Sequence, residues 1–188
     1  MFPAPFKVVL DACVLFPLTL RDTLLRAAQA GFFQMYWTEE ILEETRRNLV
    51  SKGTVTESQA TYLVVTMRDA FPESQVIGYR ALVPVMKNDP KDRHVVAAAV
   101  QAGATLIVTS NLRDFQILPA GVEVQSPDDF LCSMFDLEPS AMVTLVQQQA
   151  AAMKKPPTSL EQLLKALSKT VPEFASTVTD ARRTASKD

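Results

Sequence analysis

Hydrophobic residues follow two rhythms along this chain. Phe6–Leu10 (FKVVL) and Thr105–Thr109 (TLIVT) are short apolar runs rich in β-branched residues, as expected of strands buried on both faces of a parallel sheet. Elsewhere apolar side chains recur every three to four residues, as on one face of a helix. Leu20, Leu24, Leu25, Ala27 and Ala28 mark a helix from about Leu18 to Ala30, stopped by Gly31. A short strand over Phe33–Trp37 follows. Thr38 then caps a helix running through Leu49, with Glu39 and Glu40 in its dipole-favoured first turn and Gly53 beyond its end. Another helix spans about Glu57 to Phe71, ahead of Pro72 and a brief strand around Gln75–Ile77.

The clearest unit lies further on. Asn88-Asp89-Pro90 makes a turn, a helix runs from about Lys91 to Ala102, Gly103 caps it, and TLIVT follows. A helix leading into a second buried strand predicts βαβ architecture. Val122–Val124 reads as a short edge strand, and Pro127 opens a helical stretch through Met134. Pro139 is placed to start a helix reaching Ala152, which Pro156-Pro157 breaks. Thr158 or Ser159 caps a last amphipathic helix with Leu160, Leu163, Leu164 and Leu167 on one face. That face is expected to pack on the domain.

With 188 residues, 47% hydrophobic and 21% charged, the chain can bury a substantial core, and it reads as one domain with an appendage. Cys13 and Cys132 stand alone without ligand-like spacing, which argues against a disulfide framework and for a reducing cytoplasm. Both are expected to be buried fillers. Asp11 interrupts the apolar N-terminal stretch and no basic segment precedes it, so a signal peptide is not expected. No run has the uncharged length of a membrane span. Residues 1–149 hold 12 basic and 17 acidic side chains, residues 150–188 hold 7 and 4. The excess negative charge therefore belongs to the body of the chain.

Some of that charge sits where chemistry would use it. Asp11 ends the first strand, and Asp114 lies in the loop beyond the other strong strand; ligands of open α/β sheets sit outside such carboxyl ends. Asp92 is in the first turn of its helix, with Asp89 as the alternative, and Glu44 is mid-helix, with Glu40 one turn earlier. Carboxylates converging on one spot need a compensating cation, and an all-oxygen set favours Mg²⁺ or Mn²⁺ over zinc. The bland reading makes each a capping or solvent-facing residue. His94, the only histidine, is then expected to face solvent or satisfy a local hydrogen bond.

The segments VVLDACVL, WTEEILEETRRNL and DPKDRHVVAAAVQAGATLIVTSNLRDF resemble, in order and spacing, the PIN-domain ribonucleases and within them the toxins of VapC type. The resemblance covers about residues 6 to 125. It implies a three-layer α/β/α fold with a central, mainly parallel sheet of four to five strands, residues 1–125 being the nuclease domain and 126–188 a C-terminal helical extension. It also implies that Asp11, Glu44, Asp92 and Asp114 bind one or two Mg²⁺ or Mn²⁺ ions, with Thr109, Ser110 and Asn111 in support. The activity implied is hydrolysis of RNA phosphodiesters by a metal-activated water, Glu44 holding a second ion or orienting the water. Arg46, Lys91, Arg93 and Arg113 are candidates for holding RNA phosphates.

A cognate antitoxin and a homodimer are the partners that the resemblance implies, Leu20, Leu24 and Phe32 offering an exposed-looking helical surface. Two other classes remain beside the toxin: a catalytically inactive RNA- or protein-binding module, and a nuclease of ordinary RNA processing. A phosphatase of the haloacid dehalogenase type would need a second Asp two residues after Asp11, and position 13 is Cys.

Overall fold

The computed structural model describes residues 6–185; residues 1–5, where the apolar N-terminal stretch begins, lie outside the described residues. Four strands, β1 (Lys7–Leu10), β2 (Gln34–Tyr36), β3 (Leu106–Val108) and β4 (Glu123–Gln125), form one sheet in the order β2-β1-β3-β4. Every neighbouring pair is parallel. Val8, Val9, Leu10, Ile107 and Val108 are fully buried, which is why their sequence shows no alternation. The sheet is the centre of a three-layer α/β/α fold.

The helices are α1 (Ala12–Leu15), α2 (Leu18–Gln29), α3 (Glu39–Ser51), α4 (Glu57–Ala70), α5 (Arg93–Ala102), α6 (Pro127–Leu137), α7 (Pro139–Ala152), α8 (Leu160–Leu167) and α9 (Pro172–Ala185). Thr38 caps α3 by accepting from the Ile41 N–H at 3.1 Å. Gly103, at φ +64°, closes α5 by donating to the Ala99 and Val100 carbonyls.

Three segments differ from expectation. Gln75–Ile77 forms no strand; a single parallel bridge joins Gln75 to Trp37, and the chain then turns at Gly78 into a 3₁₀ stretch, Tyr79–Val85. Asp92 ends a 3₁₀ turn, Pro90–Asp92, so α5 begins at Arg93. The fourteen-residue α9 was not anticipated at all. Glu173, Ser176, Asp180, Arg183 and Thr184 are exposed on it, and the carboxylate of Asp128 accepts from the Glu173 and Phe174 N–H groups at 3.1 and 2.9 Å and anchors its start.

The chain divides into two compact units, residues 1–16 with 33–125, and residues 17–32 with 126–188. The first holds the sheet with α1, α3, α4 and α5. In the second, α2 packs on α7 and α8, so residues 17–32 belong with the C-terminal helices and not with the sheet. Leu20 and Leu24 are buried there, so the exposed surface expected of them is absent. Thr23 donates to Gln149 Oε1 at 2.8 Å and Gln149 Nε2 donates to the Thr19 carbonyl at 3.0 Å, a buried polar link between α2 and α7. Leu163, Leu164 and Leu167 of α8 are buried as well, the packing role expected for that face.

Candidate active site

The order β2-β1-β3-β4 reverses between β1 and β3: the chain moves from β1 to β2 on one side, then returns to place β3 on the other. The carboxyl ends of β1 and β3 therefore border the crevice where sheets of this kind place ligands. Asp11 ends β1 there. Its backbone N–H donates to the Val108 carbonyl at 3.1 Å, continuing the ladder, and its carboxylate is almost wholly buried.

Three donors fix that carboxylate. The Ala12 N–H donates to Oδ1 at 2.7 Å, while the Thr109 hydroxyl at 2.6 Å and the Cys13 thiol at 3.2 Å donate to Oδ2. The Ser110 N–H donates to Cys13 Sγ at 3.2 Å, and the Asn111 N–H to Thr109 Oγ1 at 3.0 Å. Cys13 is thus no apolar filler. It ties the end of β1 to the loop after β3. Burial, and then the Asp11 charge, push its thiol up to about 12, so it remains a neutral donor at physiological pH.

Asp92 is buried at the foot of α5, and its Oδ2 has no hydrogen-bond partner among the described residues. Burial first, then the charge of Asp11, push its carboxyl up to about 7, Asp114 and Glu44 adding to the effect and Lys91 opposing it. Glu44, half-exposed on α3, is raised by burial and then by Asp11. Asp92 thus feels the charges of Asp11, Asp114 and Glu44, and Glu44 feels that of Asp11. Asp89, the alternative to Asp92, is exposed and accepts from the Lys91 N–H in its own turn.

The Asp89 N–H donates to the Asp114 carbonyl at 3.1 Å, bringing the two acidic turns together. Lys91 lies between them, with Nζ 2.9 Å from Asp114 Oδ2 and 3.9 Å from Asp92 Oδ2. No three acidic, histidine or cysteine side chains form a ready-made ligand cluster among the described residues. Like charges keep apart, and the lysine supplies the local positive charge.

A cleft of about 480 Å³ opens beside these groups, lined by Glu40, Glu44, Arg47, Asn48 and Ser51 of α3 and by Lys91, Asp92, His94 and Asn111. His94 does not face solvent: it is buried, with Nε2 3.8 Å from Glu44 Oε2 and Nδ1 unpartnered among the described residues. Of the basic residues picked from sequence, Arg46 is clamped by Glu43 and Glu57, Arg93 donates to the Asn88 carbonyl, and Arg113 is exposed on a 3₁₀ turn. Arg47 was missed, although its spacing of three from Glu44 puts both on one helical face.

The donors present suit a hard divalent cation. They are carboxylate oxygens, one of them buried and unpartnered, within a group of acids that resist being charged together. Among the described residues, no helix is long and apolar enough to cross a membrane.

Comparison with known proteins bears on the family. Residues 7–113 match the model of the PIN domain, and residues 127–180 match that of the VapC50 C-terminal domain. Over 101 residues the chain is 41% identical to the "Putative ribonuclease VapC50" of Mycobacterium tuberculosis, a match covering 52% of this chain and 60% of the relative. The parallel sheet, the acids at its reversal and the span of the family match make this chain a member of the PIN-domain family, of VapC type, with a C-terminal extension.

Proposed function

We propose that this protein is a divalent-metal-dependent endoribonuclease and the toxin of a toxin–antitoxin pair. The observation that carries the reading is Asp92: a buried carboxylate with one oxygen unpartnered among the described residues, raised first by burial and then by Asp11, with Asp114 and Glu44 adding to it. Asp11, Asp92 and Asp114 would hold Mg²⁺ or Mn²⁺, and Glu44 would hold a second ion or orient the attacking water. A bound ion of this kind lowers the pKa of water and neutralises charge on a phosphoryl group. Thr109, Cys13 and the Ala12 N–H hold the Asp11 carboxylate in one orientation, which spares it a rotamer search on binding an ion. Ser110 and Asn111 act through their N–H groups, locking Cys13 and Thr109 in turn.

A cognate antitoxin, a homodimeric state and a cytoplasmic site of action complete the proposal, with residues 126–188 as a C-terminal helical extension that packs with residues 17–32 as one unit. The name of the M. tuberculosis relative and the match to its C-terminal domain support the toxin reading. The test is incubation of the purified chain with total RNA, with and without Mg²⁺ or Mn²⁺, beside an Asp11→Asn variant matched in circular dichroism. Metal-dependent cleavage lost in the variant is expected. A folded, antitoxin-free protein that cleaves nothing with either ion would make it a binding module instead.

A further inference from the structure

Two adjacent arginines of α3 have opposite fates. The Arg46 guanidinium is gripped by Glu43, with Nε 2.7 Å from Oε2 and Nη2 2.6 Å from Oε1, and is bonded to Glu57 as well. Arg47 lies about 100° further round the helix and lines the cleft. The ion pair it makes is a loose one, Nε standing 4.0 Å from Glu43 Oε1, and its side chain is 63% exposed. One arginine is consumed by structure while the other keeps its guanidinium available.

Arg47 has company of the right kind. Asn48 and Ser51 line the same wall, and with Glu44 they fall at i, i+3, i+4 and i+7, a single stripe along α3. Along that stripe the lining changes character: Glu40 and Glu44 come first, and beyond Glu44 the helix contributes one cation and two neutral hydrogen-bonding groups. The rest of the lining is Lys91, Asp92, Asn111 and His94, the last buried with its Nδ1 unpartnered among the described residues. A buried polar atom left without a partner in a cleft wall fits a site that receives a polar ligand.

From this arrangement we infer that Arg47, with Asn48 and Ser51, is a subsite for the sugar-phosphate backbone of single-stranded RNA beside the cleavage point. The inference rests on the nuclease reading and adds a direction to it: the strand leaves the acids along α3 towards its C-terminal end. From Glu44 to Ser51 the stripe rises about 10 Å, room for at least two stacked nucleotides at about 3.4 Å each. Acids alone would repel that strand; a guanidinium one turn from Glu44 offsets the repulsion and can grip a phosphate with two N–H groups. Because the contact is to the backbone, it holds any sequence.

The test is fluorescence anisotropy of a short labelled single-stranded RNA with hydrolysis-resistant phosphorothioate linkages, titrated with the full chain in Mg²⁺ across a KCl series. Arg47→Gln should weaken binding about three- to tenfold and reduce the log–log salt slope by about 0.7, the value for one phosphate contact on a single strand. Arg47→Lys should restore the slope, and Arg46→Gln should leave it unchanged. Wild-type binding matched by Arg47→Gln in affinity and slope would overturn the subsite while leaving the nuclease reading intact. An equal loss in Arg46→Gln would overturn it too, as a general charge effect. Absence of RNA binding by the wild type would overturn both readings.

Discussion

Asp92→Asn should make the metal-free protein more stable at pH 8, although it removes a residue proposed to bind metal. Only 8% of the Asp92 side chain is exposed, its Oδ2 has no partner among the described residues, and its carboxyl is pushed from 3.8 up to about 7, by burial first and by Asp11 next. A raised acid pKa means that the fold retains the proton longer than the unfolded chain does. Below about pH 4 both states are protonated and Asp92 costs nothing. Between about pH 4 and 7 the unfolded chain ionises first, so stability falls, and above 7 the loss is complete.

At about 1.4 kcal/mol per pH unit the full loss is at most about 4 kcal/mol. The amide that replaces the carboxylate is also buried without a partner, which takes back about 1–3 kcal/mol. The 3.9 Å approach to exposed Lys91 matters little to stability. A net gain of at most about 1–3 kcal/mol at pH 8 follows, and no gain at pH 4. Urea unfolding in EDTA measures it, followed by the fluorescence of Trp37, the only tryptophan, fully buried in the same unit as the acids. Added Mn²⁺ should then stabilise the wild type by mass action and the variant much less. A variant less stable than wild type at pH 8, or one with the same advantage at pH 4, would refute the reasoning, because the charge of Asp92 would then not be what the fold resists.

Lys91→Met should tighten Mn²⁺ binding about three- to tenfold in titration calorimetry, since a tethered ammonium 2.9 Å from Asp114 competes with a divalent cation for the same charge; unchanged or weaker affinity would contradict this. Cys13, with its thiol raised to about 12, should react with iodoacetamide at pH 8 at least about a hundredfold more slowly in the folded protein than in urea, as read by mass spectrometry of its peptide. Asp128→Ala should destabilise the C-terminal helical unit by about 1 kcal/mol, through loss of the two hydrogen bonds that start α9; circular dichroism melts would show it, and cleavage by the nuclease unit should persist.

What was legible in the sequence shares one property: its cause is local. The strands β1 and β3 announce themselves because burial on both faces removes alternation, and Thr38 can cap α3 only through residues that follow it within one turn. Asp11 and Asp114 stand out in the sequence as candidates because strand ends are local too. Cys13 was misread because the groups that define it besides Asp11, the Thr109 hydroxyl and the Ser110 N–H, arrive from 96 and 97 residues away, and nothing in the nearby ACVL registers them. His94 was misplaced for the same reason, since Glu44 comes to it from a different helix. The helix α2 looks like any amphipathic segment, and only contacts distant in sequence, such as the Thr23–Gln149 link across 126 residues and the packing on α7 and α8, reveal that it belongs with the C-terminal helices. Charge follows the same rule with a sharper consequence. A sequence can nominate four acids for one crevice, but the neutralising partner is a matter of geometry: Lys91 is adjacent to Asp92 in sequence, yet its shorter approach is to Asp114. That preference leaves Asp92 without a close counter-charge among the described residues, and so makes Asp92, rather than the more exposed Asp114, the acid through which binding of a cation would be felt most strongly.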